Sequence, residues 1–260
     1  MVAILDERKL NILKLLAEKG SMQVKDLALT LKVTEATIRT DLNALAEQSK
    51  VVRVHGGARL MENRILQEYT YSARKSLNSV HKTSIGEAAA AMVSSFDSIL
   101  LDASTTSLAM ANALKKREKL EEVTAIPLGI WTAIELMGFD SFNILLPGGY
   151  LRHTSASIAG VPTQNFFDNL IIQKAFLGAW GLSADIGLTD SHLLEVELKR
   201  LIVGKAQEVI ILADGSKFFQ TGLASYAKID QVSTIITDHH APKEEIGKIR
   251  DLGVEVIVTE

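Results

Sequence analysis

The chain has 260 residues, 47% of them hydrophobic and 23% charged, and it has no cysteine, which excludes disulfide scaffolding and thiolate chemistry. That length suits a small domain joined to a larger one, and no apolar run approaches the ~20 residues that span a bilayer. The net charge of −3 hides a split: residues 1–80 carry 13 Lys and Arg against 9 Asp and Glu, a net +4, whereas residues 81–260 carry 15 against 22, a net −7. A basic head on an acidic body points to nucleic-acid contact by the head alone. Met1–Lys9 lacks a charged start followed by an apolar stretch, so no secretory leader is expected and the protein is expected in the cytoplasm.

In chain order, Leu10, Leu13 and Ala17, then Val24, Leu27, Ala28 and Leu31, mark two short amphipathic helices separated at Gly20 and Ser21. Lys32 and Val33 make a tight turn into a third helix over 34–47, with Thr34 as its N-cap. Ile38, Leu42 and Leu45, at i, i+4 and i+7, form its apolar stripe and are ordinary core. The opposite face carries Ala36, Thr37, Thr40, Asn43 and Ala44, with Arg39 at its rim. That face is small, polar and nearly free of acid, as a helix entering a major groove must be. Three short helices with the last presented outward make a helix-turn-helix. Val51, Arg53 and His55 alternate with Val52 and Val54, and Gly56-Gly57 supplies a turn, so a wing follows. The expected DNA contacts are Thr34, Ala36, Thr37, Arg39, Thr40, Asn43, Arg53, His55 and Arg59. Arg39, Arg53 and Arg59 are assigned to phosphates, Thr37 and Thr40 to base edges; a plain solvated face is the alternative. One such head reads only a half-site, so a homo-oligomer, a dimer at least, is expected.

Residues 61–80 mix charge with tyrosines without a clear period and read as a linker with room for a short helix. The expected division is therefore a head at 1–60, a linker at 61–80 and a body at 81–260. In the body, short apolar runs end in small or polar residues and alternate with helix-like stretches. The runs are Ser98–Leu101, Val123–Ile126, Phe142–Leu146, Ala175–Leu177, Glu208–Ala213, Val232–Thr237 and Val254–Val258. This pattern makes a largely parallel α/β sheet, in which ligands collect outside the carboxyl ends of the strands. The loop Asp102-Ala-Ser104-Thr105-Thr106 puts a strand-end carboxylate, hydroxyls and a helix start at one point. That combination suits a phosphate, or else simply caps the helix. Lys217, in a Gly-Ser turn after a strand, can reach a phosphate as a point charge. Gly148, Gly149 and Arg152 lie after a strand, with Arg152 another phosphate candidate. Glu195 and Lys199 sit at i, i+4, a spacing that also makes routine surface ion pairs. Asp102 and Glu195 suit acceptance of sugar hydroxyls, or general acid/base work in an isomerase. No His/Asp/Glu spacing suggests a metal site and no cofactor is implied; His239-His240 follows a strand, and Trp131 and Trp180 read as core or interface.

Two sets of motifs resemble the DeoR family of bacterial transcription regulators. The head has V-T-E-A-T-I-R-T-D-L-N-A-L-A at 33–46 and H-G-G-A at 55–58, near the family's V-S-x-x-T-I-R-R-D-L-x-x-L-E and H-G-G-A. The body has D-A-S-T-T at 102–106, P-G-G-Y-L-R at 147–152, F-L-G-A-W-G at 176–181, G-L-T-D at 187–190, E-V-E-L-K-R at 195–200, L-A-D-G-S-K-F at 212–218 and T-D at 237–238. The family's order is kept over nearly the whole chain, and on this match Gly178 joins the site residues. Three positions depart. Thr40 replaces the second arginine of the family's pair, which bears on the bases read. Ser104 replaces the loop glycine, and Thr124-Ala125-Ile126-Pro127 lacks the asparagine of the family's T-N-S. The resemblance implies a fold shared with sugar-phosphate isomerases and coenzyme A transferases. It also implies a regulator, most simply a repressor of a carbohydrate-catabolism operon, that binds operator DNA and answers to a phosphorylated sugar or related metabolite. The rival readings are an isomerase-like enzyme with a regulatory head, and an architectural DNA-binding protein whose body only oligomerises.

Overall fold

The computed structural model describes residues 7–47, 51–54, 56–60 and 71–260. The chain divides into two compact units, Met1–Arg64 and Ile65–Glu260. His55, residues 61–70 and the side chains of Leu10 and Ala17 lie outside the described residues.

In the first unit, helices α1 (Glu7–Lys19), α2 (Val24–Leu31) and α3 (Glu35–Glu47) enclose Ile12, Leu16, Leu27, Ile38, Leu42 and Leu45, all fully buried. Burying each such aliphatic side chain contributes about 1.5–3 kcal/mol, which fixes the stripe of α3 inward and its polar face outward. Lys32, at φ 54°, ends α2 in the left-handed region and turns the chain toward α3. The wing forms as expected, from strands β2 (Val51–Val54) and β3 (Gly57–Leu60). It carries a third strand that the sequence did not suggest, β1 (Ser21–Gln23), antiparallel to β3 with Gln23 opposite Gly57. A Cβ at Gly57 would lie 2.2 Å from the Met22 carbonyl oxygen, so glycine is required there.

The second unit is built on a seven-stranded sheet. Its strands are β4 (Ser98–Leu101), β5 (Val123–Pro127), β6 (Phe142–Ile144), β9 (Ile172–Gly178), β12 (Ala206–Leu212), β14 (Thr234–Asp238) and β15 (Glu255–Thr259), all paired in parallel. These are the seven runs expected from the sequence, shifted by up to three residues at their ends. Alternate residues face opposite cores. Leu100, Ala175, Leu177, Val209, Ile211 and Ile235 pack on one side with Val196, Leu198 and Ile202 of α9 (Leu193–Lys205). Ile99, Leu101, Phe176, Ile210, Leu212 and Ile236 pack on the other with α5 (Ser79–Ala91) and α6 (Thr105–Leu114). Burial on both faces is why these strands read as continuous apolar runs. Spatial order is β15-β14-β12-β9-β4-β5-β6. The chain thus progresses one way from β4 and the other way from β9, so the topological switch point lies between those two strands.

Short elements rim the carboxyl ends of the sheet. They are α7 (Ile130–Leu136), the hairpin β7 (Tyr150–Arg152) with β8 (Ser157–Ala159), helix α8 (Val161–Phe166), and a small antiparallel sheet of β10 (Gly181–Ser183), β11 (Gly187–Asp190) and β13 (Ala224–Ala227). The second half of the expected linker holds the short helix for which it had room. Tyr71–Ser76 forms helix α4, whose first amide donates to the Thr154 carbonyl at the hairpin tip, and α5 begins at Ser79. A last helix, α10 (Lys243–Asp251), buries Ile246 and Ile249 beside β15.

Candidate functional site

On the head, the Thr34 hydroxyl accepts from the Thr37 amide at 3.2 Å, capping α3 as expected. Ala36, Arg39, Thr40 and Asn43 are exposed and Thr37 is half-buried, so the expected reading face is open. The Thr40 hydroxyl donates to the Ala36 carbonyl at 3.1 Å. Its proton is thereby committed, and Thr40 can meet a base edge as an acceptor or through its methyl group. Arg39 pairs with Glu35 at 2.8 Å, an exposed i,i+4 pair worth little and easily exchanged for a phosphate. Arg53 of β2 donates to the Asn43 amide oxygen and, at 3.5 Å, to the Arg39 carbonyl. The wing and α3 therefore form one surface. Arg59 is half-buried on β3. Asp41 points away from this face: it is buried and accepts two hydrogen bonds from Arg8, at 2.5 and 3.1 Å.

At the switch point, Asp102 follows β4 and is 1% exposed. Its Oδ1 accepts from the Ser104 amide at 2.9 Å and the Ser107 hydroxyl at 2.6 Å. Its Oδ2 accepts from the Gly178 amide at 2.6 Å and lies 3.2 Å from Lys199 Nζ. The expected role of accepting sugar hydroxyls is thus taken up by protein groups, and Asp102 organises the loop instead. Burial pushes its carboxyl up, but Lys199, Ser104, Ser107 and the Gly178 N–H together bring it below the usual range. The Ser104 hydroxyl accepts from the Ser107 amide at 3.0 Å and is the N-cap of α6. That leaves the amides of Thr105 and Thr106 in the first turn, with their buried side chains. Gly178, the last residue of β9, is needed for this approach: a Cβ there would lie 2.8 Å from Ser104 Cβ.

Lys199 is buried, and its ammonium donates to the Gly178 carbonyl and to Asp190 Oδ2, each at 2.7 Å. Burial works against this charge, but Asp190 and Asp102 hold its pKa well above the ordinary lysine value. Glu195 is held elsewhere: its Oε1 accepts from Arg152 at 2.7 Å and from the Ser157 hydroxyl. The i,i+4 pairing of Glu195 with Lys199 is therefore corrected. Both face inward, toward partners far away in sequence, because α9 lies against the sheet rather than in solvent. Arg152 is likewise tied to Glu195 and Ser155. Gly148 and Gly149 turn the chain into β7, and the Gly148 carbonyl accepts from Thr163 at 2.8 Å.

Lys217 lies on a 3-10 turn, Gly215–Phe219, capped by Asp214. Its ammonium sits 5.6 Å above the Trp180 ring, and no hydrogen bond or ion pair to it occurs among the described residues. Burial, with Arg74 and Lys199 nearby, lowers its pKa although Asp214 and Asp190 oppose. Arg74 of α4 is the second such cation: its Nε and Nη2 are buried without a partner among the described residues, and its guanidinium lies 5.7 Å from the centre of the Tyr71 ring. Tyr71 is close enough to feel both Arg74 and Asp102. A third cation, Lys82, donates to the Arg74 and Leu77 carbonyls at 2.6 and 2.5 Å, and burial lowers its pKa to about 8. Sequence reasoning missed Tyr71, Arg74 and Lys82, which fell in or beside the expected linker, and read Trp180 as core or interface. The family motif around Lys217 was the one available signal that a cation belongs here. The sequence also showed no metal-ligand spacing, yet the fold gathers His81, Asp238, His239 and His240.

A model of the DeoR-like helix-turn-helix domain matches residues 8–64, and one of the DeoR C terminal sensor domain matches residues 77–239. The chain belongs to the DeoR family. It is a transcription regulator with a DNA-binding head, and the isomerase reading is set aside. Curated relatives match end to end. The HTH-type transcriptional regulator GolR of Listeria innocua is 32% identical over 98% of both chains. The HTH-type transcriptional repressor GlcR of Bacillus subtilis is 32% identical over 98% of this chain and 96% of its own. The glycerol-3-phosphate regulon repressor of Escherichia coli is 29% identical over 96% and 97%. Among solved structures, ribose 5-phosphate isomerase A from Methanocaldococcus jannaschii aligns over 54% of this DeoR-family chain and 55% of its own, with a TM-score of 0.41 at 19% identity, too slight a likeness to carry an argument. No described helix is long and apolar enough to cross a membrane.

Proposed function

We propose that this DeoR-family regulator is a cytoplasmic repressor of a carbohydrate-catabolism operon. A head at residues 1–60 reads the operator, residues 61–80 connect it, and a body at 81–260, helped by the end of the connection, binds a phosphorylated sugar. The observation that carries this is the pair of half-buried cations Lys217 and Arg74, which make no ion pair among the described residues and lie close enough for Arg74 to lower the pKa of Lys217. A half-buried cation that forms no ion pair carries a desolvation cost that a phosphate offsets with charge-assisted hydrogen bonds. The Thr105 and Thr106 amides at the start of α6 add a helix dipole of the right sign. Asp102, Lys199 and Glu195 hold this site in shape, and Gly148, Gly149 and Arg152 frame its far side. The repressor names of GlcR and of the glycerol-3-phosphate regulon repressor support the direction of control and a phosphorylated carbon source. The unit works as a homo-oligomer, a reading supported by Trp131, Ile134, Met137, Tyr150 and Leu151, which are 49–70% exposed on α7 and β7 and at the end of α7.

Calorimetric titration of the full chain with sugar phosphates and the matching free sugars tests the site. Binding is expected only for the esters, and Lys217→Ala is expected to abolish it while operator affinity without effector stays unchanged. Equal affinity for ester and free sugar, or normal ester binding by Lys217→Ala, refutes it. Sedimentation of a monomer at micromolar concentration, with and without operator, refutes the oligomer.

A further inference from the structure

Next to Lys82, the first turn of α5 meets the turn that follows β14. Residues 158 positions and more apart in sequence, His81 and the pair His239-His240, come together there beside Asp238, and their ligating atoms and one Asp238 oxygen all lie within 4.8 Å of one another. The ring centres are 4.6 Å apart for His81 and His240, 4.1 Å for His239 and His240, and 5.5 Å for His81 and His239. His81 Nδ1 is buried and has no hydrogen-bond partner among the described residues. A buried ring nitrogen with no hydrogen-bond partner among the described residues, beside two other imidazoles, can be satisfied by a Lewis acid held between the rings.

We propose that His81, His239 and His240 hold one divalent transition-metal ion, with Asp238 as the carboxylate that orients the set. Asp238 is 1% exposed; its Oδ1 meets His240 Nδ1 at 3.0 Å and its Oδ2 accepts from the Gly215 amide at 2.8 Å. A carboxylate bound to one ring nitrogen fixes the tautomer and presents the other nitrogen to a metal, the usual outer-shell arrangement for ligating histidines. Imidazoles select zinc, nickel, cobalt or copper over magnesium and calcium, which prefer oxygen. Metal–nitrogen bonds of ~2.0–2.1 Å put tetrahedral ligands about 3.4 Å apart, so side chains now within 4.8 Å of one another close in on the ion, the exposed His239 and His240 being the ones able to move. His239 and His240 are exposed, which leaves the fourth position to water. The ion would pin α5 to the turn after β14. Because Asp238 also receives the Gly215 amide, it would steady the turn that carries Lys217 as well.

The test uses full-length protein without an affinity tag, stripped with a chelator and titrated with Co²⁺ and Zn²⁺. One equivalent of Co²⁺ is expected to bind with visible absorption of nitrogen-ligated cobalt, to be displaced by Zn²⁺, and to raise the thermal unfolding midpoint. His239→Ala, at an exposed position, and His81→Ala should each weaken Co²⁺ binding on the order of tenfold or more. His153→Ala, outside the cluster, and Lys217→Ala should bind it normally, which separates this site from the effector site. Absence of uptake at micromolar metal, or uptake unchanged in the His81→Ala/His239→Ala double variant, overturns the proposal.

Discussion

Replacing Lys199 by Met removes a buried ammonium that lies 2.7 Å from Asp190 Oδ2, 3.2 Å from Asp102 Oδ2 and 2.7 Å from the Gly178 carbonyl. At an effective dielectric of about 20, the two carboxylate contacts attract by roughly 6 and 5 kcal/mol before desolvation. Burying the three charges costs several kcal/mol each, so the intact cluster is worth little net. Removing one member is different, because two carboxylates are left facing each other in the interior, and such a loss costs about 3–5 kcal/mol. In a unit of this size each kcal/mol lowers the melting midpoint by ~2–4 °C, giving an expected drop of about 6–20 °C at pH 7. The sign of the pH dependence follows from Asp102, whose carboxyl is held below its ordinary value. Its contribution is fully present above the unfolded value of ~3.9 and is lost as pH falls through the lowered one. The gap between variant and parent should therefore narrow below about pH 4. Calorimetry of the full chain across pH measures both effects. A midpoint within about 2 °C of the parent at pH 7, or a gap that stays constant into acid, refutes the account of the cluster.

Gly178→Ala should keep the fold but lose the effector response, since its methyl would meet Ser104 at 2.8 Å and displace the 102–106 loop; titration of a sugar phosphate into folded variant measures this. Arg53→Ala should weaken binding to all DNA sequences alike and reduce the salt slope by about one, whereas Thr40→Ala should shift preference among operator variants by ~1–3 kcal/mol. Fluorescence anisotropy over a salt series separates the two, and a Thr40→Ala protein with unchanged preference refutes its placement. The lowered pKa of Lys82, about 8, predicts a trend with pH. Between about 8 and ~10.4 the unfolded chain holds more protons, so this group's contribution to stability rises with pH. Chemical denaturation over that range checks it, and a stability contribution that falls refutes the assignment.

The seven parallel strands were legible because burial on both faces removes polar residues from the run and leaves them at its ends, as at Leu101-Asp102 and Leu212-Ala213-Asp214. The reading helix was legible for the opposite reason, since one buried stripe leaves a distinct exposed face. The three- and four-residue strands at the rim were not, because a run as short as Gly181–Ser183 shows no period. Nor were partners: Glu195 and Lys199 were found, but Arg152 and Asp190, which fix what they do, are joined to them only by the fold. Arg74 was hidden because α4 is a single short helix whose place is set by a tertiary hydrogen bond to Thr154 rather than by its own pattern.

With both carboxylate oxygens of Asp102 engaged inside the protein, the 102–106 loop is held in place by protein groups alone. A ligand then spends little of its binding energy on ordering the protein. The same arrangement separates inheritance of shape from choice of guest. On the proposed reading, the 102–106 cradle can stay fixed through divergence while residues near it, such as Arg74 and Trp180, are exchanged one at a time. A lineage of such regulators can therefore change the metabolite it answers to without passing through an unfolded intermediate.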